Sequence, residues 1–124
     1  MEKATLYARY VLALALLIFG INKFAGFMPM PEYAPGSAPM NYMIGLTGVH
    51  MFPILGIIYL ASAILLATNK LVGLVTVILS AIVFNILLFH ITLDPAGLPP
   101  SIVVAVLLVL VMIGNKDKYQ ALLK

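Results

Sequence analysis

The chain has 124 residues, 64% of them apolar and 9% charged, with a formal net charge of +3 and neither Cys nor Trp. Soluble domains average about 45–50% apolar and about 25% charged residues, so a mean hydropathy of +1.16 leaves too little polar surface for a water-facing fold. The composition excludes a disordered chain, a nucleic-acid binder with a basic patch, a disulfide-stapled secreted module and any thiol–disulfide chemistry. The lipid bilayer is the expected partner, and with about 20 residues per span the length most comfortably holds four spans in a single membrane domain, residues 1–124.

The first apolar run, extended from about Thr5 to Phe24, has bilayer length and carries Arg9 near its start. Its basic start and apolar core resemble a signal peptide, but the further apolar segments that follow make it an uncleaved first span. After it comes FMPMPEYAPGSAPMNYMIGLTGV, where four prolines between Pro29 and Pro39 forbid helix. The segment is nonetheless apolar, with Tyr33, Tyr42 and four methionines, and is expected to lie on or dip into the interface, ending in a short in-plane helix from Met40 to Gly48. The second span runs from His50 to Thr68, with Pro53 near its start, where a missing N–H costs little. Thr68, Asn69 and Lys70 make a tight turn. The third span, Leu71 to about Ile91, is rich in β-branched residues, but 21 uninterrupted residues decide for a membrane helix over a strand. Asp94, Pro95, Gly97, Pro99 and Pro100 close it; the fourth span covers Leu98 to Gly114, and an amphipathic end from Lys116 to Lys124 runs into water.

The expected fold is thus all-α, a polytopic membrane four-helix bundle with spans at about 5–24, 50–68, 71–91 and 98–114. Four spans put Lys3, Arg9, Lys70, Lys116, Lys118 and Lys124 on one side and only Lys23 on the other. That bias places both termini in the cytoplasm, in a bacterial-type inner membrane, with the Pro/Met-rich loop facing outward.

Ionisable residues within spans are expensive and are functional candidates by default. Asn22 and Lys23 end the first span, His50 begins the second, Asn85 and His90 lie in the last two turns of the third, and Asp94 follows. All fall at one outer level and could line a single pocket under the loop. Equally, helix ends at an interface are polar anyway, with Lys23 snorkelling and each His satisfied by a carbonyl. His90 and Asp94 are four apart and share a helix face if the helix continues, so that the carboxylate orients the imidazole; this suits a proton donor or a hydrogen bond to a carbonyl ligand such as a quinone. Asn85 lies about 140° round the helix from His90, so only a broad pocket reaches both.

Arg9, Ala13, Leu16, Gly20 and Lys23 form one helical stripe with small residues between charges, a face expected to point into the bundle. Arg9 either snorkels to the cytoplasmic surface or turns inward toward Tyr59. Met28, Met30, Met40 and Met43 near His50 are ligand types that Cu(I) takes, though methionine equally fills a loop packed on helices. Nothing in the spacing of His50 and His90 argues for haem, and there is no Gly-rich phosphate loop, no His–carboxylate metal spacing and no nucleophile elbow. The expected metal is none.

Arg9 with the ending GINKFAGFMPMP, then HMFPILGII, then FNILLFHITLDPAGLP, resembles the DoxX family of small four-helix membrane proteins over nearly the whole chain. Asn85, Phe89, His90, Asp94 and Pro95 stand in the order that family shows, and Asn22, Lys23 and Phe24 match its first-helix ending. The resemblance implies a four-span bundle associated with membrane redox metabolism; the family includes subunits of thiosulfate:quinone oxidoreductase. One position departs from it. Similar proteins usually carry a glutamate in the middle of the second helix, where this chain has Tyr59, so Arg9 lacks the counter-ion that the resemblance implies.

The leading expectation is a quinone-binding or accessory component of membrane redox metabolism, working with a membrane oxidoreductase subunit, in which His90, Asn85 and Lys23 bond a quinone carbonyl. The alternatives are a non-catalytic scaffold or chaperone subunit for a partner protein, and a transporter of small lipophiles or ions. The transporter is disfavoured because no span is interrupted midway by Gly and Pro and no charge sits at the midplane. Gly56, Ala61 and Ala63 on the second helix permit a homo-oligomer.

Overall fold

The computed structural model describes residues 2–123, which are helical throughout apart from connections and contain no strand. The helices are α1 (Glu2–Ala25), α2 (Ala38–Gly48), α3 (Met51–Ala67), α4 (Val72–Thr92) and α5 (Leu98–Gly114), with short 3₁₀ pieces at Pro95–Gly97 and Lys116–Leu123. Three helical stretches, Glu2–Ala25, Val72–Thr92 and Pro95–Gly114, are long and apolar enough to cross a membrane, and α2 with α3 makes a fourth if that bent pair is one span.

The helices begin and end where the sequence places its breakers. Ser37 caps α2, its hydroxyl accepting from the Met40 N–H, and Pro39 sits in the first turn, where no N–H is needed. Between α2 and α3 the chain bends by 75° at Val49–His50, and His50 takes a left-handed conformation (φ 58°). That bend leaves α3 at 17 residues, about 25 Å long, with Pro53 in its first turn. The turn into α4 uses two more left-handed residues, Asn69 (φ 57°) and Leu71 (φ 52°); asparagine tolerates that conformation well, leucine much less.

Helix α1 packs closely along α3 and also against α5, α4 packs on α5, and α3 and α4 meet only sparsely. Small residues set the α1–α3 approach. A Cβ on Gly20 would fall 2.9 Å from the Leu60 side chain, and one on Gly56 would fall 2.7 Å from Phe24 Cε2, so the two backbones meet where side chains are missing. Gly56 and Ala63 are therefore buried in the bundle, which removes them from the face expected to support a homo-oligomer; Ala61 alone of the three is exposed. The core runs through Leu12 and Leu16 of α1, Tyr59 and Leu66 of α3, Val75 and Leu79 of α4, and Leu108 and Val111 of α5.

The stripe of Arg9, Ala13, Leu16 and Gly20 is buried as its spacing implies. Arg9, only 8% exposed, does not pair with Tyr59. Its Nη1 donates to the Leu66 carbonyl and, at 3.5 Å, to that of Ala67, and its guanidinium lies 4.7 Å from the centre of the Tyr10 ring. The last carbonyls of α3, with their partial negative charge, are the acceptors that the guanidinium finds.

The C-terminal segment also differs from the expected excursion into water. The Tyr119 hydroxyl hydrogen-bonds Thr76 Oγ1, and Lys118 packs on Gly73, so the segment folds back over the start of α4. Lys124, counted among the cations of that end, lies outside the described residues.

Candidate functional site

The site is built where α4 ends. Leu93 and Asp94 both donate their N–H groups to the Phe89 carbonyl, at 2.7 and 3.2 Å, and Pro95 then starts a 3₁₀ turn, since it cannot continue the ladder. This reversal folds Asp94 back over the last helical turn. His90 Nδ1 lies 3.1 Å from the Asp94 carbonyl oxygen and 3.5 Å from its carboxylate Oδ2. Two acceptors facing Nδ1 place the proton there and leave Nε2 as the acid–base position of the ring. The expected i, i+4 partnership holds, although the helix stops at Thr92.

Gly97 is required by this arrangement. A Cβ there would overlap the His90 ring at Cε1 and Nδ1, so the imidazole rests flat against bare backbone.

The third member of the cluster comes from the Pro-rich loop. The Tyr33 hydroxyl donates to Asp94 Oδ2 at 2.7 Å. Burial first, and then the hydrogen bond and charge of Asp94, push the Tyr33 hydroxyl up to about 12, because ionising it would set two negative oxygens side by side. Phe89 is the packing centre: Tyr42 of α2 stacks on it at 5.0 Å, Tyr33 meets it edge-on at 6.3 Å, and His90 meets it edge-on at 5.2 Å. The loop and α2 are thereby fastened to the end of α4 by aromatic contact plus one charge-assisted hydrogen bond.

Tyr33 has a second neighbour. With Met30, Glu32, Met40, Met43, Ile44 and Thr47 it lines an open, mostly apolar groove of about 730 Å³ between the loop and α2. His50 does not line it, so the methionine group and this imidazole are not brought together.

The other expected site residues are dispersed. Asn22 serves the backbone: its Oδ1 accepts the Met28 N–H at 2.8 Å while Gly26, left-handed at φ 63°, ends α1. Lys23 lies 5.2 Å from the Phe52 ring and makes no ion pair among the described residues. His50 is exposed at the α2–α3 bend. Asn85 is exposed on the outer face of α4, its amide donating to the Ala81 carbonyl at 2.9 Å; the angle between positions 85 and 90 turns it away from the cluster. Among the described residues no three His, Cys, Asp or Glu side chains gather to hold a metal ion.

Of the expected set the structure joins His90 and Asp94 and adds Tyr33, Tyr42, Phe89 and Gly97. The two tyrosines were visible in the sequence only as interfacial residues of an apolar loop. The signal that singles out Tyr33 is its position in a Pro-rich segment that is neither span nor polar linker. No family model, no curated protein and no solved structure matches this chain.

Proposed function

We propose that this chain is a four-span integral membrane protein of the bacterial-type cytoplasmic membrane, with both termini inside, and that it binds a quinone headgroup at the outer end of α4 as a component of, or accessory to, membrane redox metabolism. One observation carries the reading. Tyr33 is at once a wall of the groove and a hydrogen-bond donor to Asp94, so the groove is joined through a single side chain to an acid–base pair. A mostly apolar groove with a few polar groups, Tyr33 and Thr47 among them and Glu32 beside them, suits a flat ring with a carbonyl at its rim. The Asp94–His90 pair behind Tyr33 can hold or release a proton as the ligand changes charge. The resemblance of FNILLFHITLDPAGLP and INKF to the DoxX family supports the same reading. Asn85 and Lys23 have no role in this version of the site.

A second reading draws on the same contacts. Tyr33, Asp94 and His90 satisfy one another, which is what a clip fastening a loop to a scaffold also requires. Mass spectrometry of the organic extract from protein purified in mild detergent separates the two. Stoichiometric quinone in the wild type, lost in Tyr33→Phe and His90→Gln variants that still fold, supports the binding site. No bound quinone in the wild type, with lowered thermal stability in both variants, leaves the clip and overturns the quinone reading.

A further inference from the structure

The opposite end of the bundle holds a second cavity, about 430 Å³, lined by residues of α1, the α3–α4 turn and the end of α5, among them Thr5, Leu6, Arg9, Asn69, Ile113 and Lys116. Arg9 is nine-tenths buried, yet only its Nη1 has protein acceptors, the Leu66 and Ala67 carbonyls. Its Nε and Nη2 donors have no partner among the described residues, and no carboxylate pairs with it, although Glu2 stands at the cavity rim. The Thr5 hydroxyl, beside the cavity and packed toward Gly114, is buried without any hydrogen-bond partner. A guanidinium held rigidly by one nitrogen and open at the others is a fork for a tetrahedral oxyanion. Lys116 adds a second positive charge and Asn69 a polar group at the rim.

The walls identify the source of the anion. Leu6 and Ile113 line the cavity and are also 40% and 46% exposed, so exposed apolar surface of α1 and α5 adjoins the phosphate position. A free phosphate would have no use for that surface; acyl chains would lie on it. We propose that this cavity binds the phosphate of a net-anionic phospholipid, Arg9 holding the headgroup and the α1–α5 surface receiving the chains. Arg9 and Lys116 against the single carboxylate of Glu2 leave the lining net positive, which favours a net-anionic headgroup over a zwitterionic one.

Native mass spectrometry of the protein in mild detergent with an equimolar mixture of phosphatidylglycerol and phosphatidylcholine tests this. The wild type is expected to retain phosphatidylglycerol preferentially, Lys116→Gln to reduce the preference about fivefold by removing one interfacial charge, and Arg9→Gln to abolish it. Equal retention of the two lipids by the wild type overturns the proposal, as does a folded Arg9→Gln chain that keeps the preference. Where Arg9→Gln fails to fold, a Lys116→Gln, Asn69→Gly double variant, which keeps the left-handed turn at position 69, decides: an undiminished preference overturns the proposal and a lost one supports it. Displacement of the lipid by millimolar glycerol 1-phosphate would assign the cavity to soluble phosphate esters and overturn the lipid.

Discussion

The Tyr33 hydroxyl meets the Asp94 carboxylate at 2.7 Å across 61 positions of sequence. It joins a loop without regular structure to the end of the 21-residue apolar helix α4. Asp94 also faces His90 Nδ1, so that the tyrosine hydroxyl and the imidazole share one carboxylate oxygen, Oδ2. The geometry of the acid–base pair therefore depends on where the loop sits.

Tyr33→Phe keeps the ring against Phe89 and removes only the hydrogen bond. A bond to a charged acceptor contributes about 1.5–3 kcal/mol, and partial solvent access at this site puts the expected loss at the lower end. Thermal unfolding in detergent should show that destabilisation, and amide exchange over residues 26–37 should rise ahead of exchange in α4. An unchanged loop with lowered global stability would mean the contact does not anchor the loop.

The alkaline limb of stability follows from the same hydroxyl. Its folded-state pKa is raised from the ordinary 10.0 to about 12, so folding favours the protonated phenol. The contribution is complete below the unfolded value, near pH 10, and is lost as pH rises through the folded one. Unfolding free energy measured from pH 9 to pH 12 should fall across that window, and Tyr33→Phe should make the fall shallower. Equal slopes in the two proteins would show that Tyr33 is not the linked group.

Gly97→Ala places a methyl where the His90 ring now lies. Overpacking of this kind typically costs about 1–3 kcal/mol, and here the ring must rotate off Asp94 or the Pro95–Gly97 turn must open. The His90 imidazole resonances should shift strongly in the variant, with a lowered midpoint of thermal unfolding. A Gly97→Ala chain with unmoved His90 resonances would contradict the packing described.

The helices were legible because their signals are local: apolar runs of bilayer length, proline in first turns, breakers between. The second, third and fourth spans as read lie within a residue or so of α3, α4 and α5, and the short helix read from Met40 to Gly48 is α2 with two more residues at its start. The His90–Asp94 partnership was legible too, since four positions at a helix end fix proximity. Tyr33 was not, because a segment with four prolines has no period from which to infer direction, and its partner lies beyond three helices, α2, α3 and α4. Arg9 shows a different gap. Its inward turn follows from its stripe, but its acceptors are backbone carbonyls, which every residue carries and no sequence pattern marks.

Asn85→Leu separates residues at the same height from residues in the same site. Asn85 is exposed and bonded within its own helix, so its replacement by an apolar residue on a lipid-facing surface should leave stability within about 1 kcal/mol of wild type and leave any retained quinone in place. Loss of ligand in this variant but not in Tyr33→Phe would relocate the site to the outer face of α4.

The chain has no cysteine, so single introduced thiols report sidedness without background. Ala34 in the loop and Gln120 after α5 are both exposed. If α2 and α3 form one bent span, three crossings separate these positions: Ala34→Cys reacts with an impermeant maleimide added outside intact cells, and Gln120→Cys reacts only after permeabilisation. If α2 and α3 instead enter and leave by the same face, the two helices that still cross between them, α4 and α5, put positions 34 and 120 on the same side, and both thiols react under the same condition. The excess of Lys and Arg at the Arg9 end favours the first outcome. The second would move Asp94 and His90 to the face opposite Ala34, which the direct bond from Tyr33 to Asp94 does not allow within one folded chain. Labelling therefore tests the bend at His50 and the site geometry together.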